Sequence, residues 1–354
     1  MITTTPPMLH RRPRRSIDPR VNLSSNELRH PAVARLVSEL MRDFDPVVLV
    51  RYPVQDAAVR SGAEFLGLHP DKILLSPGSD AAIRMLLTTL RGSGRHLLLQ
   101  EPNYEVWTTG PEAQYWDIVR VPASDGTAAG SLRALVGELA SASPAVVVLS
   151  WPNSPGGYTP DLAAVAKLSQ RCALAGHLLV LDACYAGFAT DPRKVLRLAN
   201  RHCLVLMSWS KMFGTAGGRL AVVTGAQDVL DLLAAHGLEQ QVGAPMLHAF
   251  ARTPLVYEQL AKVWQEIAAR RETVQARLRA IGLHCPDSGG NFLHVATKSA
   301  PAARSLTGLL SAAGFRVRNM ETTTGLLHHV RFTVGIGPDD DRFQQLLEQE
   351  AMKR

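Results

Sequence analysis

The sequence predicts an α/β protein: a large domain around a mainly parallel sheet, with a smaller α/β domain at its C-terminal end. Two patterns and a size carry that expectation. Six apolar runs alternate with helical patterns between residues 72 and 225, which is how strands and crossover helices read when they build a parallel sheet. Over residues 248–281 apolar and charged residues recur at helical spacing, as one long helix joining two bodies would. The chain has 354 residues, 46% of them hydrophobic, enough for a large core and more than one typical domain. The expected division is an N-terminal arm over 1–35, a large domain over 36–247, a linking helix over 248–282 and a small domain over 283–354.

Taken in order, the strand ends carry the chemistry. Residues 72–76 read as a short apolar strand running into Pro77-Gly78-Ser79-Asp80, and a helical pattern follows over 81–90. Backbone N–H groups at a helix start bind anions, so Gly78, Ser79 and Asp80 are candidates for a phosphate cradle. Residues 96–100 lead into Glu101-Pro102-Asn103-Tyr104. That places an aromatic ring at a strand end, either stacked on a planar ligand or half-buried as ordinary packing. Residues 145–150 lead into Trp151-Pro152-Asn153-Ser154-Pro155-Gly156-Gly157, a loop fixed by Pro and Gly that holds the Asn153 amide in place. Residues 178–182 are apolar and end in Asp182, with Tyr185 three positions on. A strand buried on both faces reads this way, and an ionised carboxylate at its end is expensive without a partner. Asp182 either caps a following helix or pairs with a protonated ring nitrogen; the residues alone leave both open.

The most informative segment follows residues 203–207, where the chain reads Ser208-Trp209-Ser210-Lys211-Met212-Phe213-Gly214-Thr215-Ala216-Gly217-Gly218-Arg219. A lysine of ordinary pKa, about 10.4, is a poor nucleophile at neutral pH and needs cationic or apolar surroundings to become one. Arg219 and a closed apolar strand end could supply both. The two serine hydroxyls and the Arg219 fork suit a phosphate dianion, and the glycines permit close backbone approach. An amine beside a phosphate site points to pyridoxal phosphate, whose ring nitrogen Asp182 would keep protonated and whose phenolic oxygen Tyr185 and Asn153 would meet. Five such groups at the carboxyl ends of five strands match the place where open α/β sheets bind ligands.

Composition excludes other classes. The net charge is +7, part of it in the run His10-Arg11-Arg12-Pro13-Arg14-Arg15, which reads as a solvated, flexible arm. Neither aromatic platforms nor a nucleic-acid reader fold accompanies it. Cys172, Cys184, Cys203 and Cys285 show no Cys-x-x-Cys spacing, and the plain reading is buried reduced thiols in a cytoplasmic protein. His328 and His329 are adjacent rather than four apart, so no metal is expected. No secretory segment follows Met1 and no apolar run approaches the ~18 residues of a membrane span.

The ordered set Asn26-Glu27, Arg51-Tyr52-Pro53, Gly78-Ser79-Asp80, Tyr104, Asn153-x-Pro155-Gly156, Asp182-x-x-Tyr185, Ser208-x-Ser210-Lys211 with Arg219, Asn291-Phe292, Val317-Arg318 and Arg331-x-Thr333-Val334-Gly335 resembles a fold-type I, class I/II pyridoxal-phosphate aminotransferase. It is most similar to the histidinol-phosphate aminotransferase branch. The resemblance implies a seven-stranded, mainly parallel sheet in a large cofactor-binding domain, with the N-terminal arm packed on the small domain. It implies Lys211 as Schiff-base lysine and proton shuttle, Asp182 on the pyridine nitrogen, Tyr185 and Asn153 on the phenolic oxygen, and Tyr104 as the stacking ring. Ser79, Asp80, Ser208, Ser210 and Arg219 would surround the phosphate, with Tyr52 reaching in from the other subunit of a homodimer. Arg331 would grip the substrate carboxylate, while Asn26 and Arg318 would meet the rest of the substrate. The implied activity moves an amino group between an L-amino acid and a 2-oxo acid; the same scaffold also serves decarboxylation, elimination with cyclisation, and oxidation. The run Asn26-Glu27-Leu28-Arg29-His30-Pro31 lacks the Asn-Pro and nearby tyrosine that histidinol-phosphate enzymes present to substrate, so the substrate is left open.

Overall fold

A computed structural model describes residues 18–352, apart from 92–95, 124–125, 141–142 and 238–239. The basic run at 10–15, and the expectation of a solvated arm there, lie outside the described residues. The strands are β1 (Val21–Asn22), β2 (Ile73–Ser76), β3 (His96–Glu101), β4 (Ile118–Pro122), β5 (Ala145–Ser150), β6 (Leu178–Asp182), β7 (Cys203–Ser208), β8 (Ala221–Thr224), β9 (Phe292–Ala296), β10 (Phe315–Arg316), β11 (Arg318–Asn319) and β12 (His329–Thr333). Seven of them form one sheet in the order β2-β8-β7-β6-β5-β3-β4. The pairs from β4 across to β7 are parallel, and β8 runs antiparallel to both β2 and β7. The sheet is therefore mainly parallel, as expected. Every residue of β5, β6 and β7 is buried, because crossover helices cover both faces; this is why these strands read as unbroken apolar runs. The six runs become seven strands. The one without a continuous apolar run is β4, which lies at the sheet edge, alternates in exposure and carries Arg120.

The chain leaves β3 outward to β4 and then returns to β5 on the other side of β3. The loops after β3 and β5 consequently diverge, opening a crevice at the carboxyl ends of the strands. The short β8 sits between β2 and β7 with Ala221 opposite both Ser76 and Ser208, which brings the ends of β2 and β7 to one level.

Two separate apolar cores are present. The larger surrounds the seven-stranded sheet. The smaller gathers Leu23, Cys285, Leu293, Phe315, Phe332 and Phe343 around the three-stranded antiparallel sheet β11-β12-β9. The helix Ala244–Ala280 serves both, giving Phe250, Leu260 and Ile267 to the first core and Val274 and Leu278 to the second. It starts four residues before the expected 248 and ends two before 282. Gly243 at the cap and Pro245 in the first turn account for the early start, since Pro is favoured where the N–H has no helical partner. Near the N-terminus, β1 pairs in parallel with β10 and Leu23 enters the smaller core. The helix Val33–Met41 crosses the expected boundary at 35/36 and packs along Ala244–Ala280. Among the described residues, no helix is long and apolar enough to cross a membrane, and no group of three or more His, Cys, Asp or Glu is arranged to hold a metal ion.

Candidate active site

The segment after β7 makes one helical turn, Trp209–Met212, capped by Ser208, whose hydroxyl accepts from the Ser210 N–H at 3.1 Å. This turn carries the Lys211 amine to the Ser25 carbonyl, to which it donates at 2.5 Å. Eight residues on, Arg219 takes the left-handed region with φ 57°, a conformation uncommon for a residue with a Cβ. Its guanidinium thereby folds back to Ser210 Oγ at 3.4 Å and Asp80 Oδ2 at 3.7 Å. It also lies against Gly78, where a Cβ would stand 2.6 Å from its Nη2 and where φ is 89°. Both facts require glycine there. Ser79 and Asp80 open the helix Ser79–Arg91, so its free N–H groups face the same region. Tyr104, at the end of the loop after β3, donates its hydroxyl to Asp80 Oδ1 at 2.9 Å. Burial first, and then the neighbouring Asp80 carboxylate, push the Tyr104 phenol well above its ordinary pKa. Gly78, Ser79, Asp80, Tyr104, Ser208, Ser210, Lys211 and Arg219 are thus brought together at the ends of β2, β3 and β7.

Beside them, Asp182 ends β6. Its carboxylate is buried, accepting from the Trp107 indole N–H at 2.9 Å and the Cys184 backbone N–H at 3.2 Å. Among the described residues no Lys, Arg or His lies within ion-pair distance of it. Burial raises its pKa despite hydrogen bonds from the Cys184 thiol, the Trp107 indole and the Cys184 backbone N–H, so a cation at this place would be welcome. The Cys184 thiol faces the same space, touching Asp182 and Ser79, and burial pushes it well above the ordinary thiol value.

Asn153 is engaged within the chain. Its amide donates to Gln100 Oε1 at 2.9 Å and to the Pro102 carbonyl at 2.9 Å, while its Oδ1 accepts from the Gly156 N–H at 2.7 Å. Both N–H donors are used within the chain, tying the loop after β5 to the loop after β3, and none is left over for a phenolic oxygen. Tyr185 does have its hydroxyl in the site, accepting from Asn26 Nδ2 at 3.0 Å. Asn26 is buried and left-handed, φ 55°. Its N–H donates to Thr333 Oγ1 at 3.0 Å, and its carbonyl accepts from Asn291 Nδ2 at 3.1 Å.

The smaller sheet supplies the opposite wall. Arg331 on β12 donates from Nη2 to the Ser24 carbonyl at 2.8 Å and lies over the Phe292 ring at 5.4 Å. Its Nε is buried and has no partner among the described residues. Desolvation and the charge of Arg318 push its pKa down, against the opposing pull of Tyr185 and Tyr104. Arg318, directly opposite Arg331 on β11, stands 3.5 Å from Glu105. Tyr52 is not brought to this cluster; it is 83% exposed, in a segment where Val47, Leu49, Val50 and Val54 are also exposed.

Three members escaped the reading of the sequence. Trp107 lies one helical turn after Tyr104 at the start of Glu105–Ala113, a spacing that puts both on one face. Gln100 is a polar residue inside an apolar run, fully buried, and such a residue needs a reason. His294, opposite Arg331 on β9, donates from Nε2 to the Pro155 carbonyl at 2.5 Å; nothing in its apolar surroundings marks it.

Residues 18–349 match the family Aminotransferase class I and II. A histidinol-phosphate aminotransferase of Nocardia farcinica (strain IFM 10152) is 30% identical over 341 residues, covering 91% of this chain and 84% of that protein. Among solved structures, the histidinol-phosphate aminotransferase of Sinorhizobium meliloti in complex with pyridoxal-5'-phosphate superposes with a TM-score of 0.78 at 20% identity, covering 94% of this chain and 90% of that one. The L-threonine-O-3-phosphate decarboxylase of Porphyromonas gingivalis gives 0.77 at 19% identity, covering 93% and 99%. At these identities the structures speak for the fold alone, whereas the family match spans nearly the whole chain. The chain therefore belongs to the class I and II aminotransferases, enzymes that work with pyridoxal 5'-phosphate.

Proposed function

We propose that this protein transfers amino groups between an L-amino acid and a 2-oxo acid, with Lys211 as the lysine that carries the cofactor and moves the proton. The observation that carries the reading is the buried Asp182 carboxylate, held by two N–H donors with no cation beside it among the described residues and one strand away from Lys211. The residues present fit the cofactor. Bare Gly78 leaves room for Arg219 in the phosphate cradle, which Ser79, Asp80, Ser208 and Ser210 complete. Tyr104 would cover the cofactor's face and Tyr185 would meet its phenolic oxygen. When bound, pyridoxal phosphate supplies an electron sink for the substrate's Cα.

The chain's own groups do the rest. Asp182 holds a proton on the ring nitrogen, since a carboxylate buried among N–H donors is more favourable beside a cation. Arg331 grips the substrate carboxylate through its planar fork, for which its unpartnered Nε is suited. Lys211 takes the proton from Cα and returns it as general base and acid. Asn26 orients Tyr185 and lines the substrate space. Asn153 acts through its three hydrogen bonds by fixing the two loops under the site.

A second copy of the chain belongs to this proposal. The segment around Pro46–Val50 together with Tyr52 and Val54 forms an exposed apolar strip, larger than scattered surface residues need. A homodimer would cover it and carry Tyr52 to the partner's phosphate site. The four buried, unpaired cysteines support a cytoplasmic setting.

The test is a single-turnover reaction of the cofactor-loaded protein with a panel of L-amino acids. The expected result is equal amounts of 2-oxo acid and aminated cofactor. Carbon dioxide or ammonia without aminated cofactor would assign another reaction of the same cofactor, and a monomer by sedimentation would remove the role of Tyr52.

A further inference from the structure

The face of the smaller sheet that looks onto the site carries a row of three side chains. Arg318, Arg331 and His294 are direct cross-strand neighbours on β11, β12 and β9, so they project from one face about 5 Å apart at Cβ. The row grades from buried His294 through half-buried Arg331 to exposed Arg318, that is, from the interior to the mouth. If Arg331 takes the carboxylate of an amino acid, Arg318 stands where the far end of its side chain would lie.

Arg318 is not a bare cation. Its Nη2 stands 3.5 Å from Glu105 Oε2, and Glu105 is the first residue of the helix Glu105–Ala113, directly after Tyr104. The helix dipole favours a carboxylate in that first turn, and the backbone link to Tyr104, itself held on Asp80, fixes where Glu105 stands. The pair therefore spans the mouth, with the carboxylate from the large domain and the guanidinium from the small one.

We propose that Glu105 and Arg318 together form the subsite for the distal end of the substrate, and that this subsite takes a neutral group with a donor and an acceptor side by side, a carboxamide or ureido group. The inference rests on the aminotransferase reading. A phosphate or carboxylate placed on Arg318 would also stand near the Glu105 carboxylate, whose repulsion opposes the attraction of the guanidinium. An ammonium placed on Glu105 meets Arg318 in the same way. A carboxamide accepts from the guanidinium and donates to the carboxylate, satisfying both without a new charge. A site built on such hydrogen bonds discriminates strongly against analogues that leave one partner unpaired.

The experiment compares L-glutamine, L-glutamate, O-phospho-L-serine and L-lysine as amino donors, by kcat/KM, for the cofactor-loaded wild type and the variants Glu105→Gln and Arg318→Gln. L-Glutamine and L-glutamate are nearly isosteric, so their ratio reads charge alone. The wild type is expected to prefer L-glutamine over L-glutamate by about 10-fold or more, since like-charge juxtaposition is strongly unfavourable. Glu105→Gln should shift the ratios towards L-glutamate and O-phospho-L-serine, and Arg318→Gln towards L-lysine. Residues with only a structural role would lower all four donors together. Because each variant moves the ratios in its own direction, either one that folds suffices. A wild-type preference for the anionic donors, or ratios that neither variant moves, overturns the subsite while amine transfer itself continues. Failure of all four donors, and of every other amino acid, to transfer an amino group overturns the aminotransferase reading and the subsite with it.

Discussion

The two walls of the site are built differently. In the large domain the ligand-facing groups are settled within the chain: Asp182 has two N–H donors, Asn153 has three partners, Ser208 caps a helix turn and Tyr104 rests on Asp80. Beneath them lie β5, β6 and β7, buried throughout. On the other wall, Asn291 Oδ1, His294 Nδ1, His329 Nδ1 and Arg331 Nε are buried without partners among the described residues. Lys211 and Arg331 reach across to backbone carbonyls of Ser25 and Ser24. A buried polar atom left unpaired costs about 1–3 kcal/mol, and such atoms in a native fold ask for an explanation. The first wall is the more nearly finished scaffold, with Asn103 Nδ2, beside Tyr104, buried without a partner among the described residues. The second holds contacts that a substrate carboxylate would take over on the proposed reading, and the difference would then separate the group that stays from the group that comes and goes.

Four experiments bear on this contrast. Lys211→Ala should lower amine transfer by about 10³- to 10⁴-fold, the upper range for a positioned acid–base group, and abolish the visible absorbance of the loaded protein. Absorbance retained at another lysine would move the assignment.

Asp182→Asn should act oppositely on the empty and the loaded protein. In the cofactor-free protein burial raises the Asp182 pKa, so the stability linked to it is complete below the ordinary carboxylate range and is lost as pH rises through the higher folded value. At pH 7 the variant without cofactor should therefore melt at a higher temperature than the wild type. Loaded, it should transfer amine about 10²- to 10³-fold more slowly, because a buried charge pair has lost one partner. Melting temperatures that fall equally in both states would mean that Asp182 faces no cation.

Trp107→Phe keeps an aromatic ring but removes the N–H on Asp182. The loss of a charge-assisted hydrogen bond, about 1.5–3 kcal/mol, should appear as a fall of about 10- to 100-fold in kcat with little change in KM. A change confined to KM would place Trp107 with the substrate instead.

The smallest effect belongs to the second wall. Burial holds His294 down to about 3 and His329 down to about 4, from an ordinary 6.5. For a depressed histidine the linked stability is full above pH 6.5 and is lost as pH falls towards the folded value. The urea midpoint should decline over that window, and His294→Asn should flatten the decline. An unchanged slope would show that the histidines become charged without unfolding the sheet.

Much of the first wall was legible because buried parallel strands leave unbroken apolar runs, and a polar residue at the end of each run stands out. Asp182 and Lys211 were found this way, and Gly78 and Arg219 from the segments around such ends; the structure brings them near one another. What was not legible depends on packing between distant elements. Whether the Asn153 amide is free depends on Gln100, 53 residues away, and no spacing rule connects them. Trp107 reads as one more core aromatic until its indole N–H is seen on Asp182. At the edge, β4 has no apolar run because one face meets solvent. The early start of the long helix was readable from Pro245, since Pro at a first turn is a local signal, whereas the left-handed Asn26 was fixed only by its neighbours Asn291 and Thr333.

The pairing of β1 with β10 has a consequence for the order in which the protein is made. Asn22 and Arg316, joined by a side-chain hydrogen bond, are 294 residues apart. At about 5–20 residues per second on the ribosome, the N-terminal segment waits roughly 15–60 s for the strand it pairs with, and Asn26 waits longer for Thr333. Every strand of the seven-stranded sheet has been synthesised by then. The nascent chain thus passes through a stage at which the sheet ends that would cradle the phosphate exist while Arg318 and Arg331 do not. During that interval the emerging protein would have its proposed cofactor cradle before the two arginines proposed to grip a substrate.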